Sequence, residues 1–330
     1  MESGSMYESE KVLEDNLIKQ LIADGYEFVE INDVNDLHDN FRNQINKHNE
    51  QRLKGHKLSD KEFERLLVKI QGKGVYGSSK TLRSLQDITM DDGSTQYIEL
   101  FNIKNNEWCK NEFQVTHQVT MVGKYENRYD VTLLINGLPL VQIELKRRGI
   151  DFKEAFNQVV RYKKHSLNDL FRFVQIFIVS NGIDTKYFAN SDKEMNFQYT
   201  FYWTDKNNNR IDNLYDFALD FLPKCHISKM ISRYMVVDDT QKTLMVMRPY
   251  QYYAVEELMK RADETNNNAY VWHTTGSGKT LTSFKLSQLL STNLNISQVF
   301  FLVDRKDLDS QTIEEFNRFQ KDTVDMTDST

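Results

Sequence analysis

The chain has 330 residues, which is enough for about two domains. Its 42 basic and 48 acidic residues give a formal net charge of −6, which argues against a small basic nucleic-acid-binding module but allows an enzyme with local basic patches. With only 13 Gly and 3 Pro residues, and no apolar run near the roughly 18 residues of a membrane-spanning helix, fibrous and membrane classes are excluded. Residues 1–8 carry no secretory signal and resemble a tag, so we leave them out of the fold.

The cysteine content points to the redox compartment. Only Cys109 and Cys225 occur, and their spacing matches neither a disulfide framework nor a zinc site. A reducing compartment, the cytoplasm, is therefore expected.

The hydrophobic pattern of the first 240 residues predicts helices, then strands. A helix over 9–23 has Ser9 as its N-cap and Gly25 as its stop, and the polar residues 35–75 are also expected to be helical. Strands are predicted at 97–102, 113–122, 130–135, 140–146, 173–180 and 197–203. A helix over 152–164, capped by Asp151, separates the fourth strand from the fifth.

The pattern changes near residue 240, where we place the boundary between domains 9–240 and 241–330. A helix over 252–261 precedes an apolar strand, a Gly-rich turn, a helix beginning at Lys279 and a second apolar strand. The two strands are predicted at 269–272 and 299–304. Strand, loop, helix and strand at this spacing predict a parallel α/β sheet.

Residues 128–146 predict a β-hairpin around an Asn-Gly dipeptide. Apolar side chains alternate along both runs, and if they share one buried face, the other face holds Asp130, Glu144 and Lys146. A two-residue loop contradicts this burial pattern, whereas a three-residue loop over 136–138 pairs Asp130 with Glu144. We therefore expect the longer, bulged loop.

Two opposed carboxylates repel each other unless a positive group lies between them. Mg²⁺ binds one or two carboxylates, keeps several waters and prefers phosphate oxygens for its remaining positions. Lys146, two residues after Glu144, could orient or deprotonate a metal-bound water, and such a set can hydrolyse a phosphodiester. The alternative is a solvated strand face with a neighbouring Glu–Lys pair.

Two helices add candidate residues. Gln158 and Tyr162 are four residues apart and point the same way from their helix. Glu14 lies among the apolar residues of the first helix, where a carboxylate needs a partner. The alternative for Glu14 is a boundary position whose side chain reaches water.

Asp130, Glu144-x-Lys146 and Gln158-x-x-x-Tyr162 together resemble the PD-(D/E)xK nucleases of the RecB-like kind. The flanking sequences, 127–132, 136–146 and 154–162, resemble the restriction (motor) subunit of type I restriction-modification enzymes. This resemblance implies a restriction-endonuclease-like mixed sheet flanked by helices. It also implies that Asp130 and Glu144 are metal ligands and that Lys146 is the catalytic lysine.

The same resemblance assigns the helical residues. It implies that Gln158 and Tyr162 support the DNA and the geometry of the active site. Glu14 matches the family's N-terminal acidic motif, although Glu10 lies one helical turn earlier on the same side and the choice between them stays open. Tyr129 stands where the family name has a proline, at a permissive position.

Residues 273–280, His-Thr-Thr-Gly-Ser-Gly-Lys-Thr, follow the P-loop pattern except that His273 replaces the first glycine. Backbone N–H groups at Gly276 and Gly278 can approach phosphate, Lys279 can reach the β- and γ-phosphates, and Thr280 can hold Mg²⁺. The alternative is a structural Gly-rich turn. The predicted nucleotide-binding residues are Gln251, Thr275, Gly276, Ser277, Gly278, Lys279 and Thr280.

The order of elements around the P-loop resembles superfamily 2 helicases and translocases. That resemblance implies that Gln251 reads the adenine edge and that Arg305 contacts the DNA backbone; for Arg305 the alternative is a solvated strand end. No Walker B strand follows residue 304, and Glu314-Glu315 lie in a predicted helix. We therefore expect a fragment, with a whole nuclease domain and part of a RecA-like parallel α/β motor domain. We also expect no DNA-stimulated ATP hydrolysis from residues 1–330.

Together these features predict a type I restriction endonuclease subunit that uses Mg²⁺ and ATP. It would cut double-stranded DNA after ATP-driven translocation, with methyltransferase and specificity subunits as partners and no membrane. The first alternative is a standalone superfamily 2 helicase-nuclease. The second is a non-catalytic scaffold that binds ATP and DNA.

Overall fold

The computed structural model describes residues 9–104, 107–122, 126–165, 167–265, 267–302 and 306–320, so the predicted tag lies outside it. The helices are α1 (Glu10–Ala23), α2 (Val34–His48), α3 (Asp60–Ile70), α4 (Val75–Leu82), α5 (Lys153–His165), α6 (Leu214–Phe221), α7 (Lys224–Lys229), α8 (Pro249–Glu264), α9 (Lys279–Ser291) and α10 (Lys306–Phe319). The strands are β1 (Glu27–Phe28), β2 (Gln86–Thr89), β3 (Thr95–Ile98), β4 (Phe113–Val122), β5 (Glu126–Ile135), β6 (Leu138–Leu145), β7 (Ile176–Ser180), β8 (Thr185–Ala189), β9 (Trp203–Thr204), β10 (Arg210–Ile211), β11 (Met235–Asp238) and β12 (Thr243–Val246).

A six-stranded mixed sheet with the order β1-β4-β5-β6-β7-β8 forms the centre of the fold. β4, β5 and β6 are antiparallel, while β6 and β7 are parallel and are joined through α5. α1 packs against β4, β5 and β6, and α5 packs against β6 and β7. Every residue of β6 is buried, because it is a central strand covered by helices. The predicted mixed α/β architecture is confirmed.

Helix boundaries follow the capping signals. The Ser9 hydroxyl accepts a hydrogen bond from the Val12 N–H at 3.3 Å, and Gly25, at φ +89°, follows the end of α1 as predicted. The single helical region predicted over 35–75 is wrong in its middle, because α2 and α3 are separate helices. The second one starts at Ser59, which forms a reciprocal capping box with Glu62.

Two strand predictions need correction. The strand expected over 97–102 is β3, which lies earlier, at Thr95–Ile98. The stretch 197–203 begins with a 3₁₀ turn, Phe197–Tyr199, and only Trp203 of it belongs to a strand. Aromatic side chains gave this stretch the appearance of a strand, but its backbone pairs with the sheet only at an isolated bridge between Phe201 and Tyr187.

The parallel sheet predicted after residue 240 is absent from the described part of the chain. Residues 269–272 and 299–302 form no strand, and Trp272 and Leu302 are 89% and 96% exposed. An extended segment becomes a strand only by pairing with a neighbour, and no described segment pairs with either of these two. α9 and α10 instead pack on β11 through a small cluster of Val236, Phe284, Phe316 and Phe319.

The domain boundary near residue 240 stays a prediction. It falls in the turn between β11 and β12, whose residues pair one by one from Met235–Val246 to Asp238–Thr243. A hairpin therefore spans the predicted boundary.

Cys109 and Cys225 form a disulfide across 116 residues of sequence, with their Cα atoms 4.6 Å apart. The cysteine spacing did not indicate this bond, because the turn Trp108–Lys110 and α7 come together only in the folded chain. Among the described residues, no helix combines the length and the apolar character needed to cross a membrane.

Candidate functional site

The β5–β6 hairpin turns at Asn136 and Gly137, with φ values of +52° and +78°. Ile135 pairs directly with Leu138, so the loop has two residues and the predicted three-residue loop is wrong. A β-bulge gives the strand register that the longer loop was expected to give. The pairing shifts between Leu133 and Leu134 of β5, so Leu140 of β6 has no partner in the β5–β6 ladder. The short turn lets the helix approach closely: a Cβ on Gly137 would lie 2.7 Å from Cα of α2 residue Phe41.

The bulge restores the register that brings Asp130 and Glu144 together. Val131 pairs with Ile143, and the two acidic residues lie one position beyond this pair. Oδ2 of Asp130 accepts a hydrogen bond from the Leu145 N–H at 2.8 Å. Asp130 is partly buried and Glu144 is fully buried, so this face of the hairpin is not solvated and the alternative of an exposed Glu–Lys pair is wrong.

Glu144 is only half satisfied. Its Oε1 accepts a hydrogen bond from Gln142 Nε2 at 3.2 Å, and Gln142 Oε1 accepts one from the Thr132 hydroxyl at 2.7 Å. Its Oε2 is buried and, while both acids are ionised, has no hydrogen-bond donor among the described residues; only a proton shared with the Asp130 carboxyl group would pair the two side chains. An unpaired buried carboxylate oxygen is costly, and it is the kind of atom that a bound cation satisfies.

Burial and mutual repulsion dominate the electrostatics of the pair, and the charge of Lys146 only partly opposes them. Burial raises the pKa of Asp130 to about 6, although the Leu145 N–H and the charge of Lys146 oppose the shift. Burial, and then the negative charge of Asp130, raise the pKa of Glu144 well above its ordinary value. The two groups therefore favour holding protons unless a cation replaces them.

Lys146 extends from the end of β6 toward α1. Its Nζ donates to the Leu145 carbonyl at 2.9 Å and lies 3.7 Å from Oε1 of Glu10. Oε1 of Glu10 also accepts a hydrogen bond from the Arg147 N–H at 3.4 Å. The ammonium group of Lys146 is thus held beside the carboxylate pair, and the Lys146 side chain is 14% exposed.

α5 contributes Gln158 and Tyr162, as their spacing predicted. Nε2 of Gln158 donates to the Tyr162 hydroxyl, which itself donates to the Arg128 carbonyl at 3.0 Å. The Tyr162 ring packs edge-on against Tyr129, with centroids 4.9 Å apart. Burial and the nearby charge of Glu144 raise the pKa of Tyr162, so the phenol stays protonated next to the carboxylates.

α1 presents both acidic candidates to the site. Glu14 is buried; its Oε1 lies 2.6 Å from Nδ1 of His117, and its Oε2 accepts a hydrogen bond from Gln118. The charge of Glu14 contributes to the raised pKa of Asp130, whereas Glu10 contacts Lys146. Glu14 therefore acts on Asp130, a predicted metal ligand, whereas Glu10 acts on Lys146, the predicted catalytic lysine. Glu14 is not a boundary position facing water.

The P-loop forms the turn that was predicted before α9. Gly276 and Gly278 have φ values of +76° and +81°, a conformation that glycine adopts without strain. A glycine-rich turn of this conformation at the start of a helix can offer backbone N–H groups to an anion, although the Ser277 N–H here pairs with the Thr274 carbonyl at 3.4 Å. Nζ of Lys279 donates to the Thr274 carbonyl at 3.0 Å, and Lys279 and Thr280 open the helix.

Gln251 is bound to the loop. Its Nε2 donates to the Ser277 carbonyl at 3.0 Å, and its Oε1 accepts from the Arg248 N–H at 3.0 Å. Beside it lies a cavity of about 440 Å³ whose wall includes Gly276 and Tyr199. Arg305, predicted to contact DNA, lies outside the described residues.

Comparison with known proteins decides the family. The family described as "Type I restriction enzyme R protein N terminus" matches residues 7–196, which is more than half of the chain. The chain belongs to this R-protein family. A second family, the SWI2/SNF2 ATPase, matches residues 250–330. The predicted family, with a nuclease-like domain and the start of a motor, is thereby confirmed.

Individual R-protein relatives agree. Type I restriction enzyme endonuclease subunits from Staphylococcus saprophyticus and Staphylococcus aureus strain MSSA476 are 55% and 56% identical over 98% of this chain. The chain spans 35% of the length of each of these relatives. The type I restriction enzyme EcoprrI endonuclease subunit of Escherichia coli is 39% identical over 77% of this chain and 82% of its own length.

Within the R-protein fold, the structure brings Asp130, Glu144 and Lys146 together, with Gln158 and Tyr162 beside them. The catalytic and metal-binding roles of these residues stay predictions. Among the described residues, no group of three or more His, Cys, Asp or Glu side chains could hold a metal. Metal binding here would therefore depend on the two carboxylates, with water completing the coordination.

His117 and Gln118, the partners of Glu14 in this R-protein site, were not predicted from the sequence. Gln118 has a left-handed φ of +52° inside β4, which is uncommon for a residue other than glycine and is often found at functional sites. One signal was available: Thr116, His117 and Gln118 form a polar run that breaks the alternation of an otherwise half-apolar strand.

Proposed function

We propose that this chain carries the nuclease site and the first part of the ATP-driven motor of a type I restriction enzyme. Its substrate is double-stranded DNA, which is cut by Mg²⁺-dependent hydrolysis after translocation of the duplex. The observation that carries the proposal is the buried pair of Asp130 and Glu144, with Lys146 beside it and Oε2 of Glu144 without a partner among the described residues.

The donor set fits Mg²⁺. Hard carboxylate oxygens are its preferred ligands, two of them suffice, and water and phosphate oxygens fill the remaining positions. Asp130 and Glu144 would hold the ion, because a divalent charge offsets their repulsion and satisfies the unpartnered oxygen of Glu144. When bound, Mg²⁺ would polarise the phosphate and acidify the attacking water.

Other residues of the chain would position the attacking water and accept its proton. Nζ of Lys146 is held by the Leu145 carbonyl beside the carboxylates, where it can orient the water and take up or stabilise its charge. Gln158 fixes the Tyr162 hydroxyl, and the ring of Tyr162 shields the Glu144 side of the site. Glu14 adds a second negative charge near Asp130, which strengthens the attraction of the site for a cation.

ATP binding at residues 275–280 would drive translocation in the complete protein. Gly276 and Gly278 offer backbone N–H groups to the phosphates, and Lys279 can leave the Thr274 carbonyl for the β- and γ-phosphates. Methyltransferase and specificity subunits are the proposed partners that select the DNA site. A non-catalytic scaffold is disfavoured, since nothing in its function explains two buried carboxylates with raised pKa values.

A cleavage assay on the complete protein, assembled with its partner subunits, tests the proposal. Lys146→Ala should lower the rate of plasmid cutting by a hundredfold or more, on the order expected for loss of a general acid–base group, without lowering ATP hydrolysis. Lys69→Ala is the matched control, because Lys69 forms an ion pair with Asp87, away from the site. Near-normal cutting by Lys146→Ala would remove the lysine from the mechanism.

A further inference from the structure

A second, larger cavity lies away from the carboxylate pair and from the P-loop. Its volume is about 970 Å³, and its wall is formed by the end of α4, the segment 232–239, α9 and the end of α10. None of the residues of the predicted nuclease or nucleotide site lines it. We call it the basic cavity, because Arg83, Arg233 and Lys285 are on its wall.

Three cations meet on one short stretch of backbone in this wall. Nη2 of Arg83 donates to the Ile231 carbonyl at 2.6 Å, and Nζ of Lys285 donates to the Met235 carbonyl at 2.9 Å and to Oε1 of Gln288 at 2.7 Å, which leaves one of its three N–H donors for a ligand. Arg233 lies between Ile231 and Met235 in the sequence. Lys285 is 4% exposed, so its ammonium group is well removed from water.

Among the described residues, no carboxylate balances these charges. Within the described residues, Arg83, Arg233 and Lys285 form no ion pair with an acidic group. The acidic residue on the wall, Asp239, already accepts from the Tyr76 hydroxyl at 2.6 Å and from Lys80 at 3.0 Å. Lys285 is buried and the two arginines are half-buried, and holding three such cations together without a counter-charge is costly, so a bound anion would offset that cost.

Arg233 has unused donors. Its Nε is buried and has no hydrogen-bond partner among the described residues. Its guanidinium lies 5.4 Å from the centre of the Trp108 ring, which fixes the plane of the group but satisfies no N–H. A planar guanidinium with free donors matches the oxygens of a phosphate in a bidentate geometry.

The electrostatics agree with this geometry. Burial, and then the positive charges of Arg83 and Arg233, lower the pKa of Lys285 to about 7. The three cations thus sense one another across the cavity wall. An anion placed among them would raise the pKa of Lys285 and keep the lysine protonated.

We propose that the basic cavity binds a phosphate group, with Arg233 and Lys285 as its ligands. Arg83 supplies a fixed neighbouring charge, since the Ser79 and Gln175 side chains and the Ile231 carbonyl already hold its guanidinium. The phosphate comes from the backbone of a DNA strand or from a free phosphate compound. The cavity has room for more than one phosphate group and is lined by the nuclease-side segment and by α9 of the motor together.

The test measures phosphate affinity in residues 1–330. Every protein carries Lys279→Ala, so that binding at the P-loop does not contribute. Isothermal titration at constant ionic strength uses two probes: pyrophosphate, and a single-stranded oligonucleotide of about a dozen residues without a terminal phosphate. Arg233→Gln and Lys285→Met should each weaken binding by about tenfold or more, the usual loss when a charged hydrogen-bond donor is removed.

The controls separate binding from folding. Arg65→Gln removes an arginine that pairs with Asp91 at 2.9 Å, away from the cavity, and should leave both affinities unchanged. Thermal unfolding checks that Lys285→Met, which removes a buried charge, folds at least as stably as its parent. Binding of pyrophosphate alone identifies a free phosphate compound as the ligand, and binding of the oligonucleotide identifies a DNA strand. If neither probe binds, or if Arg233→Gln and Lys285→Met bind both as tightly as the parent, the proposal is wrong.

Discussion

Gln118 lies directly across from Asp130 between β4 and β5, at the one position where the described ladder of these two strands is interrupted. The flanking pairs, His117–Val131 and Val119–Tyr129, are intact. Gln118 has a left-handed φ of +52°, and its side chain donates to Glu14 rather than following the strand. A strained backbone conformation thus lies next to Asp130, the candidate metal ligand. Strained residues of this kind cluster at functional sites.

Gln118→Gly should separate stability from activity. Glycine adopts a positive φ without strain, but the variant also leaves Oε2 of buried Glu14 without its Gln118 donor, so the gain of about 1 kcal/mol is offset and the free energy of unfolding in urea should change little. DNA cleavage by the complete protein should fall severalfold or more, because Glu14 loses a donor that fixes it near Asp130. Lys54→Gly, at another left-handed position, should gain stability without a change in cleavage. Unchanged cleavage by Gln118→Gly would show that the strain has no role at this site.

The stability of the chain without divalent metal should depend on pH through Asp130. Its pKa is raised from 3.8 to about 6 on folding, so the folded state binds the proton more tightly than the unfolded state. The free energy of unfolding should therefore fall by about 1–3 kcal/mol as the pH rises through this window, and it should fall further at higher pH through Glu144, whose pKa is also raised.

Asp130→Asn removes the titrating carboxyl group and keeps an oxygen to accept the hydrogen bond of the Leu145 N–H. Urea unfolding at several pH values should show a flatter dependence in this variant between about pH 4 and 7. At pH 7, Mg²⁺ should stabilise the parent but not the variant, since the ion replaces the missing positive charge. Identical pH profiles in the two proteins would mean that Asp130 does not titrate as described.

The sequence predicted which side chains meet, but not how the backbone brings them together. Burial on alternate positions required Asp130 and Glu144 to share a face, and this requirement was correct. The device that meets it, a two-residue turn with a bulge at Leu140, could not be predicted, because a bulge and a longer loop correct the register equally well. The partners of Glu14 come from β4, more than a hundred residues away in sequence, and no local pattern indicates such a contact.

Other errors came from elements that depend on neighbours. The apolar runs at 269–272 and 299–302 have the composition of buried strands, yet composition does not supply a pairing partner. Signals that act within a few residues were accurate: Ser9 caps α1, and Asp151 accepts from the Lys153 N–H at 2.9 Å at the start of α5. The cation cluster of Arg83, Arg233 and Lys285 was also missed, since its members are far apart in the chain.

The nucleotide and nuclease functions should be separable by mutation in the complete protein. Lys279→Ala should abolish ATP hydrolysis and translocation, because the lysine neutralises charge that develops on the phosphates. DNA cleavage should then fail although the carboxylate site is intact. Lys285→Met, on the same helix but with its ammonium bonded to the Met235 carbonyl, should retain ATP hydrolysis. Normal DNA cleavage by Lys279→Ala would rule out a motor-driven nuclease.

Two buried glutamates provide a matched pair for testing the metal site. Glu144 has one oxygen without a partner among the described residues, whereas both oxygens of Glu62 are hydrogen-bonded. Burial alone would raise the pKa of Glu62, but His56 and the N–H groups of Ser59 and Asp91 lower it to about 2. Glu144→Gln should therefore keep or raise the free energy of unfolding, while Glu62→Gln should lower it.

Calorimetric titration of residues 1–330 with Mg²⁺ is the most direct test of the central claim, that Asp130 and Glu144 form a metal site. The parent should bind the ion, and Glu144→Gln should weaken binding by about tenfold or more, because a charged ligand is lost. Glu62→Gln should bind Mg²⁺ like the parent despite its lower stability. If Glu144→Gln bound Mg²⁺ as tightly as the parent, or if the parent bound none, the carboxylate pair would not be a metal site.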